Sequence, residues 1–428
     1  MTKKQIIPKV SIVAIGNELV FGKIIDTNTQ YISNLLYNCG FQLINLSCVR
    51  DDLLEIKEVL LRESLRSDII ITTGGLGPTA DDLTRNAIAD MNGSKLVENQ
   101  PAKEKLIALL TRRKRNINEN NLRQILFPEG SSILNNSIGT ADGFITTLKN
   151  NSIIASFPGV PRELKVIFQD EFIPRLKKLN LYPSNPPVTE NFRCFGMAEA
   201  VIGEKIESCN FSDEIEIAYR PTLPDILISF THRGNIDNSA KLVELNSYID
   251  KAIAAIGKEY VYTKDINETY PMLISKLFKE KKLTLSSAES CSGGLFAEQL
   301  ISIPGASEFF LSSAVTYSND TKINLLKVKS ETISKFGAVS KETAKEMAEG
   351  IRNITKSDIA ISITGIAGPD GGSDEKPVGT FWIGLSDKNH SEAFHYFYLT
   401  ERNIFRSFTT YAAYSVLKKH LYRTEKIS

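Results

Sequence analysis

The sequence predicts an α/β protein in three parts: an N-terminal three-layer α/β/α domain with a mostly parallel sheet, a small α+β middle domain and a C-terminal α/β domain. Three observations carry this. Short runs rich in Ile, Val and Thr alternate with segments whose apolar residues recur at helical spacing, the pattern of a parallel sheet covered on both faces. Several runs end in glycine and hydroxyl residues, and ligands on such sheets collect at the carboxyl ends of strands. A Pro/Asn cluster, Pro183-Ser184-Asn185-Pro186-Pro187, interrupts the pattern as a linker would. The expected domains are 1–178, 179–263 and 264–428.

The first strand is expected at Val10 to Ile15, ending at Gly16. Ile32, Leu35, Leu36 and Cys39 then fall on one helical face, with Gly40 where a C-terminal cap belongs. Ile69 to Thr73 forms a β-rich run that opens into Gly74-Gly75-Leu76-Gly77-Pro78. From Val188 to about Thr263 strand and helix signals alternate without a polar constellation, so this segment reads as a structural or spacing module. The last segment begins with an amphipathic helix carrying Met272, Leu273, Leu277 and Phe278. A strand at Leu283 to Ser287 leads into Ala288-Glu289-Ser290-Cys291-Ser292-Gly293-Gly294. Ser340 is a plausible N-cap, a strand at Asp358 to Ile363 ends in Thr364-Gly365-Ile366-Ala367-Gly368-Pro369, and a closing helix covers about Asn403 to Leu421.

Composition narrows the function. Lys and Arg total 51 against 50 Asp and Glu, which leaves no long-range field to favour nucleic acid or an anionic membrane. The basic run Arg112, Arg113, Lys114, Arg115 reads as a solvated helix face. The cysteines at 39, 48, 194, 209 and 291 form no CxxC pair, so neither a disulfide framework nor a zinc site is expected. No apolar stretch approaches the roughly 20 residues that span a bilayer. A cytoplasmic protein with no nucleic-acid or membrane partner is expected.

The chemistry concentrates in the last segment. A strand that ends in small hydroxyl and glycine residues before the helix Leu295 to Leu300 leaves backbone N–H groups at the helix start, donors suited to an oxyanion or a phosphate. Ser290 there is a candidate nucleophile, although such a serine is also an ordinary helix cap. Tyr317-Ser318-Asn319-Asp320-Thr321-Lys322 lies at another strand end. A lysine shielded from water has its pKa lowered and can then take a proton from a serine hydroxyl, while the bland alternative is a surface lysine. Thr364 to Pro369 adds a third such loop.

These motifs, AESCSGG, YSNDTK, FGAVS, TGIAGPDGG with the following KPVGT, and a late helix bearing arginine, resemble the C-terminal domain of the competence/damage-inducible CinA family from Leu283 to Leu417. The resemblance implies a nicotinamide mononucleotide amidohydrolase that releases ammonia and nicotinic acid mononucleotide and needs no cofactor. It implies Ser290 as nucleophile, Lys322 as general base, and Tyr317 and Thr364 as positioning groups. Arg402 would meet the phosphate, with Arg406 as its competitor. Glu289, Ser292, Gly293, Gly365, Ala367 and Gly368 complete the implied substrate site, Ser292 standing where the family carries threonine. A homodimer is expected from the family. The fragment 264–428 is expected to fold alone and keep the activity.

In the front domain, Asn17 and Glu18 follow the first strand, and Gly74, Gly75, Gly77, Pro78 and Thr79 precede Asp81 and Asp82. Glycines admit a phosphate, and paired carboxylates could hold a divalent cation, or they could simply cap the helix beginning near Leu83. From about Val10 to Leu176 the chain resembles the MoaB/MogA-like molybdopterin-binding domain of CinA proteins, including PEGSSILNNSIGTADGF and FPGVPREL. Some members hydrolyse ADP-ribose with a divalent metal, cobalt or magnesium, and the resemblance extends that activity to this domain. Asn17 stands where the family carries aspartate and Asp142 where it carries proline, and GMAEA replaces GIGES in the connecting segment. A pterin- or nucleotide-binding module without turnover is the alternative for this domain.

Overall fold

The computed structural model describes residues 7–114 and 118–423, so the extreme N-terminus and Arg115 of the basic run lie outside the described residues. The chain is a mixed α/β protein whose first sheet is mostly parallel. It divides into two compact units, one running to Val188 and including Arg233–Asn238, the other holding Thr189–His232 and the chain from Ser239.

In the first unit, β1 (Lys9–Ile15), β2 (Gln42–Val49), β3 (Ile69–Thr73), β6 (Ser132–Leu134), β7 (Gly143–Thr147) and β8 (Ile153–Phe157) form one sheet in the order β2-β1-β3-β8-β7-β6. β4 (Leu96–Glu98) and β5 (Leu126–Pro128) pair separately. The first four strands of that order run parallel, and β7 and β6 close the edge antiparallel. Alternate residues point to opposite faces and both are buried. Ile69 and Ile71 join Ile32, Leu36 and Phe168 on one side, while Ile70 joins Ile56, Leu60 and Ile88 on the other. After a short helical turn at Asn17–Val20, the helix Thr27–Asn38 is capped by Asp26, whose side chain accepts from the Thr29 amide.

The second unit contains two sheets. β9 (Val188–Cys194), β10 (Ile215–Pro221), β11 (Ile226–His232) and β12 (Val261–Thr263) pair in the order β10-β11-β9-β12. β13 (Leu285–Glu289), β14 (Phe310–Val315), β15 (Ile359–Gly365), β16 (Thr380–Ser386) and β17 (Ser391–Phe397) pair in the order β14-β13-β15-β16-β17. In the latter, β14, β13 and β15 are parallel and the last two strands antiparallel. Leu285, Ile361 and Ile363 pack with the helices Tyr270–Lys281 and Arg402–Arg423 on one face. Ala288 and Ala360 pack with Met347 and Ile351 of Lys341–Thr355 on the other. Ser340 caps that helix by accepting from the Thr343 amide.

β13 and β15 end two residues beyond the expected ends, because β13 pairs with β15 as far as Glu289 opposite Ile363, and β15 pairs with β16 as far as Gly365 opposite Phe381. Ser290 therefore leaves the sheet directly. Among the described residues no helix is long and apolar enough to cross a membrane.

Candidate active site

The tips of three parallel strands bring the C-terminal motifs together. Ser290 follows β13, Lys322 sits in the helix Asn319–Leu326 after β14, and Thr364 is the last residue but one of β15. Lys322 Nζ lies 3.0 Å from Ser290 Oγ. It also donates to the carbonyls of Thr316 at 2.7 Å and Tyr317 at 3.4 Å. Lys322 is 1% exposed and Ser290 8% exposed, so water barely reaches the pair. Burial is the main cause that brings the lysine pKa down from its usual range to about 8. A cavity of about 180 Å³ opens over the two, lined by Ser290, Cys291, Tyr317, Lys322, Ala338, Val339, Thr364, Gly365, Ala367 and Arg402.

Each remaining wall has a defined chemistry. Thr364 Oγ1 donates to the Ala338 carbonyl at 2.8 Å, which leaves the hydroxyl lone pairs free to accept. Arg402 Nη2 donates to the Tyr317 hydroxyl at 2.9 Å and Nη1 to the Gly368 carbonyl at 2.7 Å, so the guanidinium is oriented at the cavity rim. Gly365 is required by close packing, since a Cβ there would stand 2.5 Å from Phe381 Cβ and 3.1 Å from Cys291 Sγ. Burial pushes the Cys291 thiol up to about 12, so it stays protonated.

Five residues of the implied substrate site do not line the cavity. Glu289 is fully buried beneath the loop. Its Oε2 accepts from Ser292 Oγ at 2.8 Å, Gly294 N at 3.0 Å and Phe296 N at 3.1 Å. Its Oε1 accepts from Ala297 N at 3.0 Å and Ser313 Oγ at 3.1 Å. The helix Leu295–Ile301 thus starts on a carboxylate. This corrects the expectation that its first amides are open to an oxyanion or a phosphate: a negative side chain already holds them. Ser292 and Gly293 belong to that anchored turn, and Arg406 clamps it from outside by donating to the Ser292 carbonyl at 3.0 Å. Gly368 contributes its carbonyl to Arg402. Cys291, Ala338 and Val339 are lining residues that sequence reasoning missed; the FGAVS motif contained the signal for the last two.

In the first unit a cleft of about 460 Å³ lies at the tips of β1 and β3, lined among others by Glu18, Gly74, Gly75, Gly77, Pro78, Thr79, Asp81 and Asp82. Gly74, at φ +105, lets the chain cross close to β1, where a Cβ would stand 2.1 Å from the Ile15 carbonyl oxygen. Glu18, Asp26, Asp51, Asp81, Asp82 and Glu163 all face this cleft, and among the described residues its lining contains no lysine, arginine or histidine. Burial, reinforced by Glu18, Asp81 and Asp82, raises the Asp51 pKa against a lowering bond from the Asn17 amide. Asn17 itself is absent from the lining; its backbone N donates to Asp51 Oδ2 at 2.8 Å. Asp142 is also absent and pairs with Lys105.

Asp82 accepts from the amides of Gly77 and Thr79, both at 2.7 Å, and from Thr79 Oγ1 at 2.6 Å, while Asp81 bonds the same hydroxyl. The helix begins at Thr84 with no side-chain cap, so the aspartates brace the glycine loop rather than cap the helix. Among the described residues no group of three or more His, Cys, Asp or Glu side chains is placed to hold a metal ion.

Residues 267–421 match the CinA C-terminal domain family and residues 11–178 match the family described as a probable molybdopterin binding domain. A competence-damage inducible protein of Halothermothrix orenii is 37% identical over 411 residues, covering 96% of this chain and 98% of the relative. One from Caldanaerobacter subterraneus subsp. tengcongensis is 40% identical over 377 residues, covering 88% and 89%. The solved competence/damage inducible protein CihA of Agrobacterium tumefaciens is 38% identical, with a TM-score of 0.34, over 35% of this chain and 92% of its own. Near full-length identity of this degree, with both domain families in the same order, places the chain in the CinA competence-damage inducible protein family.

Proposed function

We propose that the second unit is a serine amidohydrolase acting on the carboxamide of nicotinamide mononucleotide. The observation that carries the reading is the buried contact between Lys322 Nζ and Ser290 Oγ at 3.0 Å. Two carbonyls accept hydrogens from Nζ, so a neutral amine directs its lone pair at the serine hydroxyl. Lys322 takes the Ser290 proton as Oγ attacks the carboxamide carbon. The C–N bond then breaks, the protonated lysine returns that proton to the leaving nitrogen, and ammonia departs. Water, giving a proton to the same amine, hydrolyses the acyl-serine ester to the carboxylate and frees Ser290.

The cavity supports a substrate of this kind. Thr364 Oγ1 can accept from the amide NH₂, which an acid or ester lacks. At about 180 Å³ the cavity is smaller than the roughly 300–1,000 Å³ of drug-sized sites, so it fits the amide-bearing ring and leaves a phosphate outside, towards Arg402. Ammonia release from nicotinamide mononucleotide, measured on the purified full chain, is the test. Turnover that falls by about 10³ or more in Ser290→Ala, with unchanged melting, supports the proposal. A folded wild-type protein that releases no ammonia overturns it.

The front cleft favours a second reading as a ligand-binding module for a pterin or nucleotide. Asp81 and Asp82 are engaged by the glycine loop itself, which favours binding over turnover. Ribose 5-phosphate formed from ADP-ribose with cobalt or magnesium would restore the enzymatic reading; retention of the ligand without product supports the binding one.

A further inference from the structure

A cavity of about 300 Å³ in the first unit belongs to neither site above, and Arg85, Asn86, Leu83 and Arg123 line it. Arg85 is 3% exposed and makes no ion pair among the described residues. Its Nη2 donates to the Leu76 carbonyl at 2.9 Å, and its guanidinium stands 5.5 Å from the Phe127 ring centre. Its buried Nε has no hydrogen-bond partner. Asp82 and Asp142 act on this charge but neither forms an ion pair with it, so an anion in the adjoining cavity would add the close counter-charge that the guanidinium lacks.

Two independent features point the same way. The nine-residue helix Thr84–Asn92 begins beside this cavity; its N-cap, Leu83, supplies no side-chain acceptor, and the Thr84 amide donates to the Gly75 carbonyl at 3.3 Å, so no carboxylate caps the positive helix end. Arg123, also in the lining, is exposed, and its side chain donates to the Thr79 carbonyl at 3.4 Å. Asp82 also borders the cavity, but both its oxygens already accept from Gly77 and Thr79. Burial lowers the Arg85 pKa to about 10, still well above neutral pH, so the charge persists.

We propose that this cavity binds a phosphoryl group, as inorganic phosphate or a small phosphate monoester, between Arg85, Arg123 and the helix start. Calorimetric titration of the full chain with inorganic phosphate and, separately, ribose 5-phosphate tests it, with chloride at equal ionic strength as the reference. Saturable binding in the millimolar range or tighter is expected, weakened about fivefold or more in Arg123→Ala and abolished in Arg85→Met. Should Arg85→Met fail to fold, Arg85→Lys keeps the charge without the planar fork and should also weaken binding about fivefold. Tighter binding of the ester names a monoester as ligand, and equal binding names free phosphate. Heats matched by chloride, or Arg123→Ala and Arg85→Lys binding as tightly as wild type, overturn the proposal.

Discussion

Lys322 meets two backbone carbonyls and one hydroxyl, and makes no ion pair among the described residues. Only its neutral form can accept the Ser290 proton. Burial lowers its pKa to about 8, so the active form grows as pH rises through that value. The amidase kcat/KM is therefore expected to climb about tenfold per unit below pH 8 and to level off above it. A profile flat from pH 6 to 9 would remove Lys322 from the role. At this scale the pair was legible, because hydroxyl and amine both follow β-rich runs that a parallel sheet sets side by side. Cys291, a buried thiol in the lining, was not, and Ala338 and Val339 were signalled only by the FGAVS motif, since a wall of apolar surface and backbone carries no chemical signature of its own.

The join between β13 and its following helix depends on Glu289. Its carboxylate gathers three helix-start amides and reaches Ser313 on β14, the strand that leads to the carbonyls holding Lys322. One buried group thus fixes both the nucleophile turn and the base turn. In Glu289→Gln an amide NH₂ would face N–H donors. Unfolding in urea is expected to show a loss of roughly 1–3 kcal/mol. Because the residue touches no cavity surface, kcat should fall while KM changes little; a rise in KM alone would return Glu289 to substrate contact. The strand and the turn could be read from the sequence. The partners of Glu289 could not, because most are backbone amides, which any residue supplies.

Across the second unit, the middle sheet and the closing helix share one core. Phe195 and Tyr262 pack with Tyr270, Tyr414 and Phe405, and Tyr262 stacks on Tyr270 with ring centres 4.2 Å apart. Buried Lys418 donates to the Val261 carbonyl, and Arg193 and Tyr262 converge on Asp225. A fragment starting at residue 264 would expose this aromatic face and strand Lys418. It is expected to melt roughly 5–10 °C below one starting at Thr189; equal melting would show the middle sheet to be dispensable. Strand and helix periodicity made the α/β class legible in advance. The shared core was hidden because its partners are far apart in the chain, 157 residues in the case of Lys418 and Val261.

The absence of an ion pair at Lys322 has a further consequence. Its pKa is depressed mainly by dehydration, and mobile ions screen charges but cannot rehydrate a sealed amine. Raising sodium chloride from about 0.05 to 1 M, which shortens the screening length from beyond 10 Å to about 3 Å, should leave the midpoint of the activity profile where it was. A midpoint that drifts with salt would reveal a neighbouring charge acting on the proton.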